Sequence, residues 1–294
     1  MAPEFPRPAD AGSANARPVV LVTGTSTGIG LATAVSAALA GWHVIATVRR
    51  AGSDAGLLAA ADVAGVSDHV EVRMLDTTDP QAAAALVDDI AATHGRLDAV
   101  VNNAGQGHVG TLELDTLDAA RRVMEVNYFG VLNVTKPAMA HLRASGGSVV
   151  TVTSVGGIVG QPFNESYCAA KFAVEGMMES LHPVAAAVGV RVTVVEPGAV
   201  ATQFVENVGI ASSSLSGDAG AYAEAFEHYI ERTRGAFDGA QQPQGVADVI
   251  VGVLQDDHPP FRAQTSDSAT AFVGMKLRDL DGTAVTGATA GWIV

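Results

Sequence analysis

Tyr167 and Lys171 are four residues apart, so on a helix they share a face and can point into one cleft. A free tyrosine titrates near pH 10, and an ammonium beside it favours the phenolate and brings it towards working pH. Such a tyrosine serves as a general acid or base. A tyrosine and lysine at this spacing are often just an amphipathic pair, and the pair gains weight here from Ser154 and from a glycine turn upstream. That turn is VVLVTGTSTGIG, Val19 to Gly30: a strand runs into Gly24, Gly28 and Gly30 and then into a helix. Glycines there let the backbone turn sharply and approach a pyrophosphate, while the helix offers free N–H groups and its positive dipole end. The whole run Gly24, Thr25, Ser26, Thr27, Gly28, Ile29 and Gly30 is a candidate dinucleotide site, the alternative being a tight turn without a ligand. The next strand ends Thr47, Val48, Arg49, Arg50, with no acid for a ribose 2′-hydroxyl. An arginine there pairs instead with a 2′-phosphate, so NADP(H) is the expected cofactor, with Arg49 as first choice and Arg50 behind it.

Positioning these residues requires a regular scaffold. Apolar, valine-rich runs recur at Val19 to Thr23, His43 to Val48, Val70 to Leu75, Leu97 to Val101, Ser148 to Thr153 and Val190 to Val195, with a last one near Phe261 to Gln264. Helix-permitting stretches lie between them, among them Pro80 to His94, Leu117 to Arg143 and Ser166 to Gly189. Strand and helix alternating at this spacing predict an α/β fold, a single-domain Rossmann-type doubly wound parallel sheet with helices on both faces. The expected organisation is a flexible tail at 1–17 and a catalytic domain at 18–264, followed by a segment at 265–294 without a clear placement. Within the domain, a substrate loop at about 203–243 includes a short helix over Ala221 to Arg234. Pro137 should kink or end its helix.

Composition excludes several partners. A net charge of −14 in 294 residues provides no basic surface for nucleic acid and no stripe for anionic lipid. From Pro18 to Val48 there is no charged residue, yet glycines divide the stretch into strand, turn, helix and strand, so no membrane span is expected. Cys168 is the only cysteine, which rules out an intrachain disulfide and makes a cytoplasmic location the expectation. Cys168, Met177 and Met178 read as packing residues. The eight histidines are scattered with no close pair in metal-ligand spacing, and no metal is expected.

The motifs taken together resemble the short-chain dehydrogenases/reductases: TGTSTGIG at Thr23 to Gly30, Asp76 after the third strand, NNAG at Asn102 to Gly105, Asn127, Ser154, YCAAK at Tyr167 to Lys171, and EPGAVAT at Glu196 to Thr202. They fall in family order and cover about 20 to 264. The resemblance implies that Ser154 hydrogen-bonds the substrate oxygen and Tyr167 passes the proton. Lys171 would hold the nicotinamide ribose and lower the tyrosine pKa, and Asn127 would anchor a proton-relay water. It also implies that Asp76 and Thr77 contact the adenine, that Asn103, Ala104 and Gly105 line the cofactor cleft, and that Pro197, Gly198, Val200 and Thr202 border the nicotinamide. Family members pair through their long helices, so a homodimer or homotetramer is expected.

The segment Ser154 to Ser180 is similar to the corresponding segment of the estrogenic 17β-hydroxysteroid dehydrogenases and related retinol dehydrogenases. This implies a bulky, apolar, steroid-like alcohol or ketone as the small-molecule partner, with Val155, Gly156, Phe163 and Phe204 as candidate substrate contacts. Val205, Val208, Tyr222, Phe226 and Tyr229 supply further apolar and aromatic area. The alternatives are a general carbonyl reductase, a retinol-type dehydrogenase, and a non-catalytic NADPH-binding protein. The last predicts a damaged catalytic set, whereas all four residues are present.

Overall fold

Each valine-rich run forms a strand buried on both faces or an edge strand beside one. The computed structural model describes residues 17–202, 219–278 and 291. The strands are β1 (Val19–Val22), β2 (His43–Val48), β3 (Val70–Met74), β4 (Ala99–Asn102), β5 (Ser148–Val152), β6 (Arg191–Glu196) and β7 (Arg262–Gln264). All pair in parallel, in the order β3-β2-β1-β4-β5-β6-β7. Every residue of β1, β4 and β5 is buried, as a sheet covered on both sides requires.

The covering helices are α1 (Gly28–Leu39), α2 (Ala55–Val63), α3 (Pro80–His94), α4 (Leu117–Met124), α5 (Gly130–Ser145), α6 (Glu165–Ala186), α7 (Ala223–Asp238), α8 (Pro243–Gln255) and α9 (Asp267–Leu277). Successive strand residues face opposite sides. Val19 and Leu21 pack with Ile90, Leu142 and Met178 from α3, α5 and α6, whereas Val20 and Val22 pack with Ala34, Leu57 and Ile250 from α1, α2 and α8. These two layers make the doubly wound sandwich.

Local chemistry sets the element ends. Asp79 caps α3 by accepting from the N–H groups of Gln81 and Ala82 at 3.0 and 2.9 Å; Pro80 fills the first helical position, and Gly95 ends the helix at φ +72°. Pro137 does not end its helix, because α5 runs through it to Ser145. Val134, Ala138 and Leu142 are buried in the core on either side of the proline, and their packing offsets the lost backbone hydrogen bond. Between α4 and α5 a π-helical turn, Glu125–Phe129, carries Asn127 into full burial.

Three helices have no counterpart among the elements expected above: α2, α8 and α9. The last begins with Ser266 accepting from the Ala269 N–H at 3.2 Å and packs Ala269 and Val273 against Val155, Ile158 and Val159. Part of the unplaced 265–294 segment therefore folds back beside Ser154. Phe204, Val205, Val208 and most of the expected terminal tail lie outside the described residues.

Candidate active site

The chain leaves β1 for β2 on one side and later enters β4 on the other, so the carboxyl ends of β1 and β4 flank the point where the winding reverses, where open α/β sheets bind ligands. A cleft of about 1210 Å³ opens there, large enough for a dinucleotide and a second molecule.

One end is the glycine turn. Gly24 and Gly28 adopt φ of +70° and +59°, conformations that a side chain strains. A Cβ on Gly24 would lie 2.9 Å from Ala104 Cα, and one on Gly30 would collide with the Gly24 carbonyl and the Asn103 amide. Asn103 fastens the turn by donating to the carbonyls of Thr23 and Gly24 at 2.9 and 3.0 Å, while Thr23 Oγ1 accepts from the N–H groups of Asn103 and Ala104. Thr27 precedes α1 without capping it through its side chain, leaving the first helical N–H groups facing the cleft. Such a cradle fits a pyrophosphate.

Most of the expected cofactor residues meet here. Gly24, Ser26, Thr27, Gly28, Ile29, Gly30, Arg49, Asp76, Thr77, Asn103, Ala104, Gly105, Pro197, Gly198, Val200 and Thr202 all line the cleft, as does Arg50. Thr25 does not. It is fully buried, and its N–H and hydroxyl both donate to the Thr47 carbonyl, at 2.9 and 3.1 Å, tying the turn to β2. Asp76 is held below the ordinary carboxylate range chiefly by the Thr78 hydroxyl and N–H, with Arg49 adding to the effect.

At the other end stand Ser154, Tyr167 and Lys171. Ser154 follows β5, and its Oγ accepts from the Gly156 N–H at 3.0 Å. Tyr167 is in the first turn of α6 and hydrogen-bonds with Ser154. Lys171 is one turn further on, 5 % exposed, with Nζ donating to the Val152 carbonyl at 3.1 Å and lying 5.9 Å from the tyrosine ring centroid. Burial pushes the phenol well up and pushes the lysine down to about 8. A hydrogen bond with Ser154 opposes the effect of burial on the tyrosine. Lys171 Nζ sits near the ring face while donating to the Val152 carbonyl.

Asn127 reaches the same centre from the π-helical turn. Its side chain donates to the carbonyls of Gln106 and Val123 at 2.8 and 3.0 Å and accepts from the Gln106 N–H at 3.1 Å, clamping the loop after β4. Gly105 lies between it and the lysine; a Cβ there would meet Asn127 Oδ1 at 3.0 Å and Lys171 Nζ at 3.6 Å.

Below this group Thr153 donates to Glu175 at 2.5 Å, and Arg262 approaches Glu175, Glu179 and Glu196 at 3.4, 2.7 and 3.1 Å. Burial, opposed by the Thr153 hydrogen bond, raises Glu175 to about 7. The buried members of this network, Thr153, Glu175 and Glu196, brace the residues immediately before Ser154 and Pro197.

The expected substrate residues divide. Val155 lines the cleft, and Gly156 lies behind Ser154, where a Cβ would come within 3.3 Å of the Tyr167 ring. Phe163, at φ +57°, is instead buried beside the cleft in an aromatic cluster with Phe226 and Tyr229, ring centroids 5.3 Å away in each case. Val109, Leu114 and Ala219 draw the ring into that cluster, so it supports the wall instead of touching the cavity. Tyr229, one of the expected aromatic residues, lines the cleft together with Asn164 of the Ser154 to Ser180 segment, and so do Gln161, Thr233, Ser268 and Phe272, for which no role was expected. Asn164 donates to the Tyr229 hydroxyl at 2.8 Å, joining α7 to the start of α6. Neither spacing nor periodicity marks these positions, since they meet only when α7 and α9 fold over the cleft.

A doubly wound sheet with a pyrophosphate cradle and a serine–tyrosine–lysine group in one cleft defines an oxidoreductase of alcohols and ketones. The chain belongs to the short chain dehydrogenase family, whose profile matches residues 18–212. It is 36 % identical over 274 residues to human 17-beta-hydroxysteroid dehydrogenase type 1, covering 91 % of this chain and 83 % of that one. It is 35 % identical over 278 residues to retinol dehydrogenase 8 of Bos taurus, covering 92 % and 88 %. The crystal structure of a short-chain dehydrogenase from Streptomyces avermitilis superposes with a TM-score of 0.78 at 32 % identity, covering 95 % of this chain and 99 % of that one. Among the described residues no helix is long and apolar enough to cross a membrane.

Proposed function

We propose that this protein is an NADP(H)-dependent oxidoreductase that interconverts a secondary alcohol and a ketone on a bulky apolar substrate, with 17β-hydroxysteroids of the estradiol/estrone type as the preferred class. The observation that carries the reading is a single cleft with Arg49 and Arg50 at one end and Ser154, Tyr167 and Lys171 at the other. The bound nicotinamide supplies the hydride chemistry. The chain supplies the rest. Gly24 to Gly30 and the α1 N-terminus hold the pyrophosphate, Arg49 pairs with the 2′-phosphate, and Asp76 and Thr77 meet the adenine end. Ser154 holds the substrate oxygen, Tyr167 transfers its proton, Lys171 positions the ribose, and Asn127 orders the proton path behind it.

Val155, Tyr229 and Phe272 give the substrate end apolar and aromatic walls suited to a fused-ring or polyene skeleton. The similarity to a steroid dehydrogenase and a retinol dehydrogenase points the same way. The chain assembles as a homodimer or homotetramer in this reading, through the long helices α5 and α6, and works in the cytoplasm. Estradiol offered with NADP⁺ is expected to yield estrone, measured by chromatography of the product. Turnover of small acyl ketones with no steroid or retinoid converted would replace this reading with a general carbonyl reductase.

A further inference from the structure

The histidines scattered along the sequence do not all stay apart. His43 opens β2, Glu71 is the second residue of β3, and His94 ends α3, and the fold brings their side chains to one point at the amino-terminal edge of the sheet, opposite the cleft. Both imidazole Nε2 atoms face the same carboxylate oxygen, at 3.6 Å from His43 and 3.3 Å from His94, and all three atoms lie within 4.8 Å of one another. Both nitrogens are buried, and the contact to this one carboxylate oxygen falls short of good hydrogen-bond geometry. The rings lie 4.7 Å apart and tilted by 42°.

We propose that His43, Glu71 and His94 form a binding site for a divalent transition metal, with zinc as the best fit. Zinc bonds of 2.0–2.2 Å in a tetrahedron separate neighbouring ligand atoms by about 3.4 Å, which the two nitrogen–oxygen distances bracket. Two imidazoles and one carboxylate suit zinc, copper or nickel over magnesium or calcium. The surrounding charges are balanced: Arg73 engages the other oxygen of Glu71 and pairs with Asp89 at 2.7 Å, and His69 lies near His43. The three side chains remain 19–31 % exposed, so the cluster lies near the surface although its two nitrogens are covered. Joining β2, β3 and α3, the metal would act as a structural staple.

The test is calorimetric titration of the untagged, chelator-treated protein with Zn²⁺, alongside thermal melts. One Zn²⁺ per chain is expected, with a melting point raised by roughly 4 °C at a hundredfold excess over the dissociation constant. His94→Gln and His43→Gln, each checked for folding by circular dichroism, should weaken binding at least about tenfold, whereas His141→Gln on the surface should not. If one variant fails to fold, the other decides. Absence of binding up to millimolar Zn²⁺, or unweakened binding in a folded His43→Gln or His94→Gln variant, overturns the proposal.

Discussion

Tyr167→Phe is expected to lower turnover by roughly 100- to 10,000-fold while leaving NADPH affinity and the melting temperature near those of the wild type. The magnitude is that of removing a general acid–base group from a reaction that needs one proton moved. The ring stays, so the walls around Gly156 and Ser154 keep their packing; only the hydroxyl bonded to Ser154 is lost. Steady-state rates combined with fluorescence titration of NADPH separate the two effects. A fall in affinity matching the fall in rate would make Tyr167 a cofactor residue instead of a proton donor. An undiminished rate would remove it from the chemistry.

Arg49→Ala is expected to raise the Michaelis constant for NADPH by roughly 10- to 100-fold and to leave that for NADH almost unchanged. Hydrogen bonds to a charged group contribute about 1.5–3 kcal/mol, which corresponds to that range. Arg49 lies at the same end of the cleft as Asp76, near enough to depress its pKa, so its loss leaves only Arg50 to offset that carboxylate there. A 2′-phosphate is repelled by that carboxylate; a 2′-hydroxyl is not. Equal losses with both cofactors would place Arg49 in loop structure and move the 2′-phosphate contact to Arg50.

The sheet was legible because burial on both faces demands continuous apolar runs, and each valine-rich run became a strand within a residue or two of its expected place. The helix-permitting stretch Pro80 to His94 became α3, with Asp79 and Gly95 capping its two ends. The cofactor cradle was legible for a similar reason: glycine is required where a side chain would strike a backbone, as at Gly24 and Gly30. Thr25 and Phe163 show where that kind of reading stops. Both stand beside motif residues, but one is turned into β2 and the other into an aromatic cluster, and adjacency in sequence does not tell which way a side chain faces.

What escaped the sequence is set by long-range contacts. Asn164 meets Tyr229 across 65 residues, and Ala269 packs on Val155 across more than a hundred; neither leaves a local pattern. The convergence of His43, Glu71 and His94 is of the same kind, since it arises from strand order and helix length. Glu175 was hidden differently: on α6 it reads as an ordinary charged surface residue, and only the placement of β6 and β7 shows that it is buried against Thr153 and Arg262.

In the proposed reaction this cleft uses NADPH to reduce a bulky ketone, with Tyr167 supplying the proton. The most direct measurement is the reduction of estrone by wild-type protein with NADPH carrying deuterium at both positions of the reactive nicotinamide carbon, followed by mass spectrometry of the product. One deuterium on the carbinol carbon of estradiol, retained in the slow residual product of Tyr167→Phe and far less abundant with labelled NADH, is the result predicted. Estradiol formed without the label, or no conversion of estrone with either cofactor, would contradict it.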